Sequence, residues 1–84
     1  WLRFLAALPF GDEAVLIEDG AARAVRGSPR PVLLGELSDV CDRLGIRSGL
    51  IIARRTSRGP RLSFRGIRSE FHQRLRNVYN AWSR

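Results

Sequence analysis

Apolar and polar positions along this chain alternate first with a period of two and then with a period of three to four, and the switches mark its elements. Over residues 13–26, two short apolar runs flank Asp19-Gly20, a pair suited to a type I′ two-residue turn. That turn sets Ile17 opposite Ala22, Val15 opposite Ala24 and Glu13 opposite Arg26. Gly27-Ser28-Pro29-Arg30-Pro31 then stops the strand, because proline has no amide hydrogen to give a ladder. The spacing turns helical over residues 32–44, where Leu33, Leu37, Val40 and Leu44 share one stripe with Cys41 beside it. Asp39 stands one turn from Arg43, an ion-pair spacing. Gly35 costs about 1 kcal/mol relative to alanine inside a helix and argues for a later start. Gly45 suits the left-handed position that ends a helix, with Ile46 folding back on the last turn.

The pattern then repeats its layout, although the residues are too different for a sequence repeat. Residues 50–65 form a second hairpin. Leu50-Ile51-Ile52-Ala53 is one strand, Leu62-Ser63-Phe64-Arg65 the other, and residues 55–60 a polar loop turned by Gly59-Pro60. Leu62 and Phe64 face the core, and Arg61, Ser63 and Arg65 face away. A second helix spans residues 69–81, with Ser69 as its N-cap and Glu70 at the positive end of its dipole. Phe71, Leu75, Val78 and Trp82 make its buried stripe; Arg68, His72 and Arg76 form one exposed row and Gln73, Asn77 and Asn80 lie near another. The order ββαββα predicts an α+β domain: an antiparallel sheet with both helices on one face and much of the arginine on the other.

Length changes this picture little, since 84 residues suit a single core. Residues 13–84 are read as one basic domain. Residues 1–12 are read as an N-terminal arm packing on the core or as the remnant of a membrane anchor. The mostly apolar stretch 1–10 is about half the length a membrane helix requires, and a chain starting at Trp1 reads as a fragment or a processed product. The one cysteine can form no disulfide within the chain, which favours a reducing compartment.

Charge changes it more. All 15 basic residues are arginine. Residues 1–42 hold four of them against seven acids, a net of −3, and residues 43–84 hold eleven against Glu70 alone, a net of +10. Such a field attracts polyanions, either nucleic acid or an anionic lipid surface; the plainer alternative is a solvated face that keeps the protein soluble. The footprint expected for a polyanion is Arg54, Arg55, Arg58, Arg61, Arg65 and Arg68. Aromatic residues for stacking bases are scarce, with Tyr79 the one candidate platform, so binding should be driven by the phosphate backbone.

Enzymatic motifs are missing from the sequence: it holds no phosphate-binding glycine loop, His-Glu-x-x-His or Gly-x-Ser-x-Gly. His72 has no acid among its sequence neighbours and reads as a solvent-side helical residue, and Cys41 reads as a small buried hydrophobe. No enzyme, metal or cofactor is expected.

Gly45-Ile46, Gly49, Arg61-Leu62-Ser63-Phe64, Ile67 and above all Gln73-Arg74-Leu75-Arg76-Asn77-Val78 resemble an uncharacterised family of small bacterial proteins with a closing Gln-Arg-x-Arg-Asn-Val motif. The resemblance covers roughly residues 14–80. It implies a fold and a setting close to a membrane, because members often carry a membrane segment before the first strand, but it implies no activity. Read physically, Arg74 and Arg76 lie about 200° apart on a helix and do not grip one ligand together. Either each clamps a neighbouring element while Asn77 caps a loop, or Gln73, Arg76 and Asn77 present a polar recognition strip. A binding module for nucleic acid or another polyanion, an accessory domain beside an anionic membrane, and a module for an acidic protein partner all remain open. A free domain implies the cytoplasm, and an upstream anchor its membrane face.

Overall fold

Asp19 and Gly20 adopt φ of 51° and 78°, the left-handed pair a type I′ turn requires, and so join β1 (Glu13–Glu18) to β2 (Ala21–Arg26). The computed structural model describes residues 12–82, so the expected arm at residues 1–12 lies outside the described residues except for Asp12. Helix α1 (Pro31–Leu44) follows, then β3 (Ser48–Thr56), β4 (Gly59–Arg65), a single 3₁₀ turn at Ser69–Phe71, and helix α2 (His72–Trp82). The four strands form one antiparallel sheet in the order β2-β1-β3-β4. The α+β architecture and the ββαββα order are therefore as the hydrophobic pattern predicts.

The main core lies between the sheet and both helices. Val15 and Ile17 of β1, Ile51 and Ala53 of β3 and Leu62 of β4 meet Leu33, Leu37, Val40 and Cys41 of α1 and Leu75 and Tyr79 of α2. Each fully buried aliphatic side chain here contributes about 1.5–3 kcal/mol. Proline at the first turn of α1 costs no helical hydrogen bond, so the helix starts at Pro31, and Gly35 is carried inside it. Gly45, at φ 74°, ends α1 as expected: its N–H and that of Ile46 donate to the carbonyls of Asp42 and Cys41. Asp39 and Arg43 pair at 3.1 Å.

Several expectations are corrected. Arg26 stands opposite Ala14, not Glu13, because Val25 is an extra residue that shifts the register between Ala14 and Val15. The expected loop at residues 55–60 is mostly strand: β3 and β4 pair out to Thr56 and Gly59, leaving only Ser57-Arg58 as the turn. Thr56 Oγ1 accepts from the Arg58 N–H and donates to the Gly59 carbonyl, which closes that turn. Pro60 is tolerated because β4 is an edge strand. Ser69 is not an N-cap; it sits inside the 3₁₀ turn, and Arg68 takes the cap position with no side-chain bond. Trp82 is 42% exposed, and Tyr79 takes the buried place expected for it.

The sheet face turned away from the helices also differs. Its centre is apolar, with Ala14, Leu50 and Ile52 buried and Leu16 and Val25 packed against them. Arginine borders this face instead of filling it: Arg23 and Arg26 on β2, Arg54 at the end of β3, and Arg61 and Arg65 on β4. Among the described residues, no helix is long and apolar enough to cross a membrane.

Candidate anion-binding site

Strand register gives the sheet two chemically different ends. At one end the β1–β2 turn brings Glu18 and Asp19 beside the start of β3. The C-terminal part of α1 joins them, with the Gly20 N–H donating to the Arg47 carbonyl and Asp42 near Gly20. At the other end the β3–β4 turn carries Arg58, with Arg54 and Arg61 directly opposite each other on the outer face and Arg55 on the helix side. The six residues of the expected footprint are therefore divided. Arg54, Arg55, Arg58 and Arg61 crowd the hairpin tip. Arg65 lies about 20 Å along β4 from the turn, and Arg68 lies beyond it, paired with Glu70 at 3.2 Å.

A cleft of about 570 Å³ opens on the helix side of the hairpin tip. Arg30 enters it from the start of α1, Arg55 from β3 and Arg58 from the turn. Among the described residues the ion pairs join Arg23 to Glu18, Arg43 to Asp39, Arg54 to Asp12 and Arg68 to Glu70, so Arg30, Arg55, Arg58 and Arg61 have no carboxylate partner. The start of α1 adds to the positive potential. No acid lies in its first turn, Arg30 supplies no side-chain cap, and the N–H groups of Val32 and Leu33 have no acceptor within the helix. Pro29, Leu33 and Ala53 also border the cleft but are buried, so Pro60 is its accessible apolar residue.

Tyr79 and Glu13 also line the cleft. The Tyr79 hydroxyl donates to Glu13 Oε1 at 2.5 Å, which ties α2 to β1 across 66 residues of sequence. Burial pushes the Tyr79 phenol well above its usual range, the hydrogen bond to Glu13 and its negative charge add to that, and the Arg55 guanidinium pulls the other way. Gly27 abuts Glu13 at φ 75°; a Cβ there would come within 2.8 Å of Glu13 Cγ. Tyr79 is thus a wall residue and not the stacking platform expected for it. Its place is a consequence of α2 packing, which buries Tyr79 where the helical spacing put Val78 and Trp82 in the buried stripe.

Outside the cleft, Arg54 Nε stands 3.8 Å from Asp12 Oδ2, a buried carboxylate oxygen without a hydrogen-bond partner. The closing motif does not converge on one strip. Gln73 Nε2 donates to Asn77 Oδ1 at 3.0 Å, Arg76 lies over the Phe64 ring at 5.3 Å, and Arg74 lies by Val40, Arg43 and Leu44 of α1. His72 is not a solvent-side residue: it stacks on Phe64 at 4.1 Å with Nε2 at 2.8 Å from the Ile67 carbonyl. Cys41 is fully buried, and its thiol is pushed up to about 11 by that burial. Arg30 was missed by the sequence reading, because it stands 24 or more positions from the hairpin arginines it joins. Compared with known protein families, with curated proteins and with solved structures, the chain matches none.

Proposed function

We propose that this chain is a small non-enzymatic binding domain that holds a polyanion, specifically the phosphate backbone of nucleic acid, at the end formed by the β3–β4 hairpin tip and the start of α1. The observation that carries this is the gathering of Arg30, Arg55, Arg58 and Arg61 at one end with no carboxylate partner among the described residues. Guanidinium groups already spent on internal ion pairs gain little from a phosphate, and unpaired ones are free to make forked, charge-assisted hydrogen bonds. Arg54 belongs to the same surface, since its contact to Asp12 is long. On this reading the domain works in the cytoplasm, or at the cytoplasmic face of the membrane as the resemblance to small bacterial proteins would imply.

The test is fluorescence anisotropy with labelled single-stranded and duplex oligonucleotides across a range of salt. Four to six neutralised phosphates give a slope of log affinity against log salt of about −4 to −5 on duplex DNA. R54A with R61A lowers both the affinity and the slope, by about one unit of slope for each arginine removed. A flat salt response would remove the reading.

A further inference from the structure

The outer face of the sheet is buried at its centre, yet among the described residues no element lies over it. Ala14 and Leu50 are 0% exposed there and Ile52 6%. Asp12, which strand alternation puts on the same face as Ala14, is 6% exposed. Both helices, with Ile67 and Phe71 before α2, pack on the opposite face. Strand neighbours alone leave side chains on an open face accessible, as Ser63 and Arg65 show: they stand opposite Ile52 and Leu50 on β4 and are exposed. The buried patch therefore has a cover that lies over β1 and β3 and stops short of β4. The burial is that of one chain, so the cover belongs to the chain itself. Outside residues 12–82 the chain has residues 1–11 and 83–84. Two residues span about 7 Å, too little to pass from the end of α2 around the sheet.

We propose that residues 1–11 dock on the outer face of the sheet of their own chain, as a third layer over Ala14, Leu50 and Ile52. Eight of these eleven residues are apolar, and Arg3 carries their one charge. They join the sheet at Asp12, on the face in question, where the Asp12 carboxylate lies 3.8 Å from Arg54. Eleven residues reach roughly 16 Å even when wound as a helix, against about 14 Å across four strands. Length, composition and point of attachment all suit this face. The apolar side chains of the arm are then spent on the fold and are not free to enter a membrane. Without the arm, Leu50 and Ile52 would stand open to water or to another chain.

Methyl NMR on the full chain tests this. The methyl groups of Leu50 and Ile52 show nuclear Overhauser contacts to the ring protons of Trp1, Phe4 or Phe10. A soluble gadolinium chelate broadens these methyls no more than those of Leu37 and Leu75 in the main core, while it broadens Val32, which is 43% exposed. In a mixture of labelled and unlabelled chains the contacts stay within one chain. L5D with L8D puts charge into the arm and releases it: broadening of Leu50 and Ile52 rises to that of Val32, Leu37 is unchanged, and the urea midpoint falls. Circular dichroism checks that this variant is folded; should it not fold, the full-chain contacts and broadening decide the question by themselves. Strong broadening of Leu50 and Ile52 in the full chain overturns the proposal, as do contacts from the arm to Leu37 or Val40 in their place. Contacts found only between chains overturn it too and give the face to a second copy. None of these readouts involves nucleic acid, so each outcome leaves the polyanion reading where it stood.

Discussion

Tyr79 and Cys41 hold their protons more tightly in the folded chain than in the unfolded one, and this gives the protein an alkaline weakness. A raised folded-state pKa stabilises fully below the unfolded value and is lost as pH climbs towards the folded value. For Cys41 the window runs from 9.0 to about 11, and for Tyr79 it opens at 10.0 and continues upward. Urea unfolding should show stability falling above about pH 9, each group adding up to about 1.4 kcal/mol per pH unit. Cys41→Ala should flatten the first part of that fall and Tyr79→Phe the later part; slopes unchanged in both variants would show that neither group is the source. Tyr79→Phe should also cost about 1–2 kcal/mol at neutral pH, because Glu13 loses a donor but stays partly exposed to water. Gly49 makes a different residue-scale prediction. A Cβ there would run into the Ile67 side chain and come within 3.2 Å of the Arg65 carbonyl. Gly49→Ala should therefore lower stability by about 1–3 kcal/mol, read as a shift in the urea midpoint. The same close approach links Gly49 and Ile67, two positions of the resemblance, into one packing unit.

Among the elements, β2 shows how an edge strand is protected. Ser38 of α1 accepts the Ala22 N–H at 2.8 Å and donates to the Leu34 carbonyl at 2.8 Å, so a helix side chain occupies an edge amide that another chain would otherwise find. Ser38→Ala should cost about 1 kcal/mol in urea unfolding. It should also raise self-association in size-exclusion chromatography at high concentration; a variant that associates no more than the parent would show the bond to be structural only. The β3–β4 hairpin is the functional element. Its two-residue turn carries the strands out to Thr56 and Gly59, and strand alternation then sends Arg54 and Arg55 to opposite faces. A flexible six-residue loop would have allowed all the arginines to reach one ligand. The paired hairpin gives Arg55 and Arg58 to the cleft and leaves Arg54 and Arg61 outside it.

For the whole molecule, the imbalance of charge along the chain becomes an imbalance along the strand axis, but not by halves of the sequence. Arg30 comes from the acidic half and joins the basic end, while Arg68 comes from the basic half and is paired with Glu70. Glu18, Asp19 and Asp42 at the opposite end offset Arg23, Arg43 and Arg47 there, so the molecule should approach a polyanion tip first. Association should then slow steeply with added salt in stopped-flow measurements, while dissociation changes less. Equal salt sensitivity of the two rates would argue against steering by this end.

The sequence by itself determined the elements and their order, because local signals agree with one another there. Asp19-Gly20 can make only a tight turn cheaply, Gly45 ends α1, and Leu33, Leu37 and Val40 leave one face to bury. It also determined which side of β4 is polar, since alternation fixes Leu62 and Phe64 opposite Arg61 and Arg65. What only tertiary structure decided is whatever depends on partners distant in the chain. Packing of α2 chose Tyr79 over Trp82 for burial, the extra residue at Val25 slid Arg26 to Ala14, and the sheet gave its outer face an apolar centre. The cleft belongs to this second class. Its walls come from positions as far apart as Glu13 and Asn80, and no local pattern records that β1, α1, the hairpin tip and α2 end at the same place.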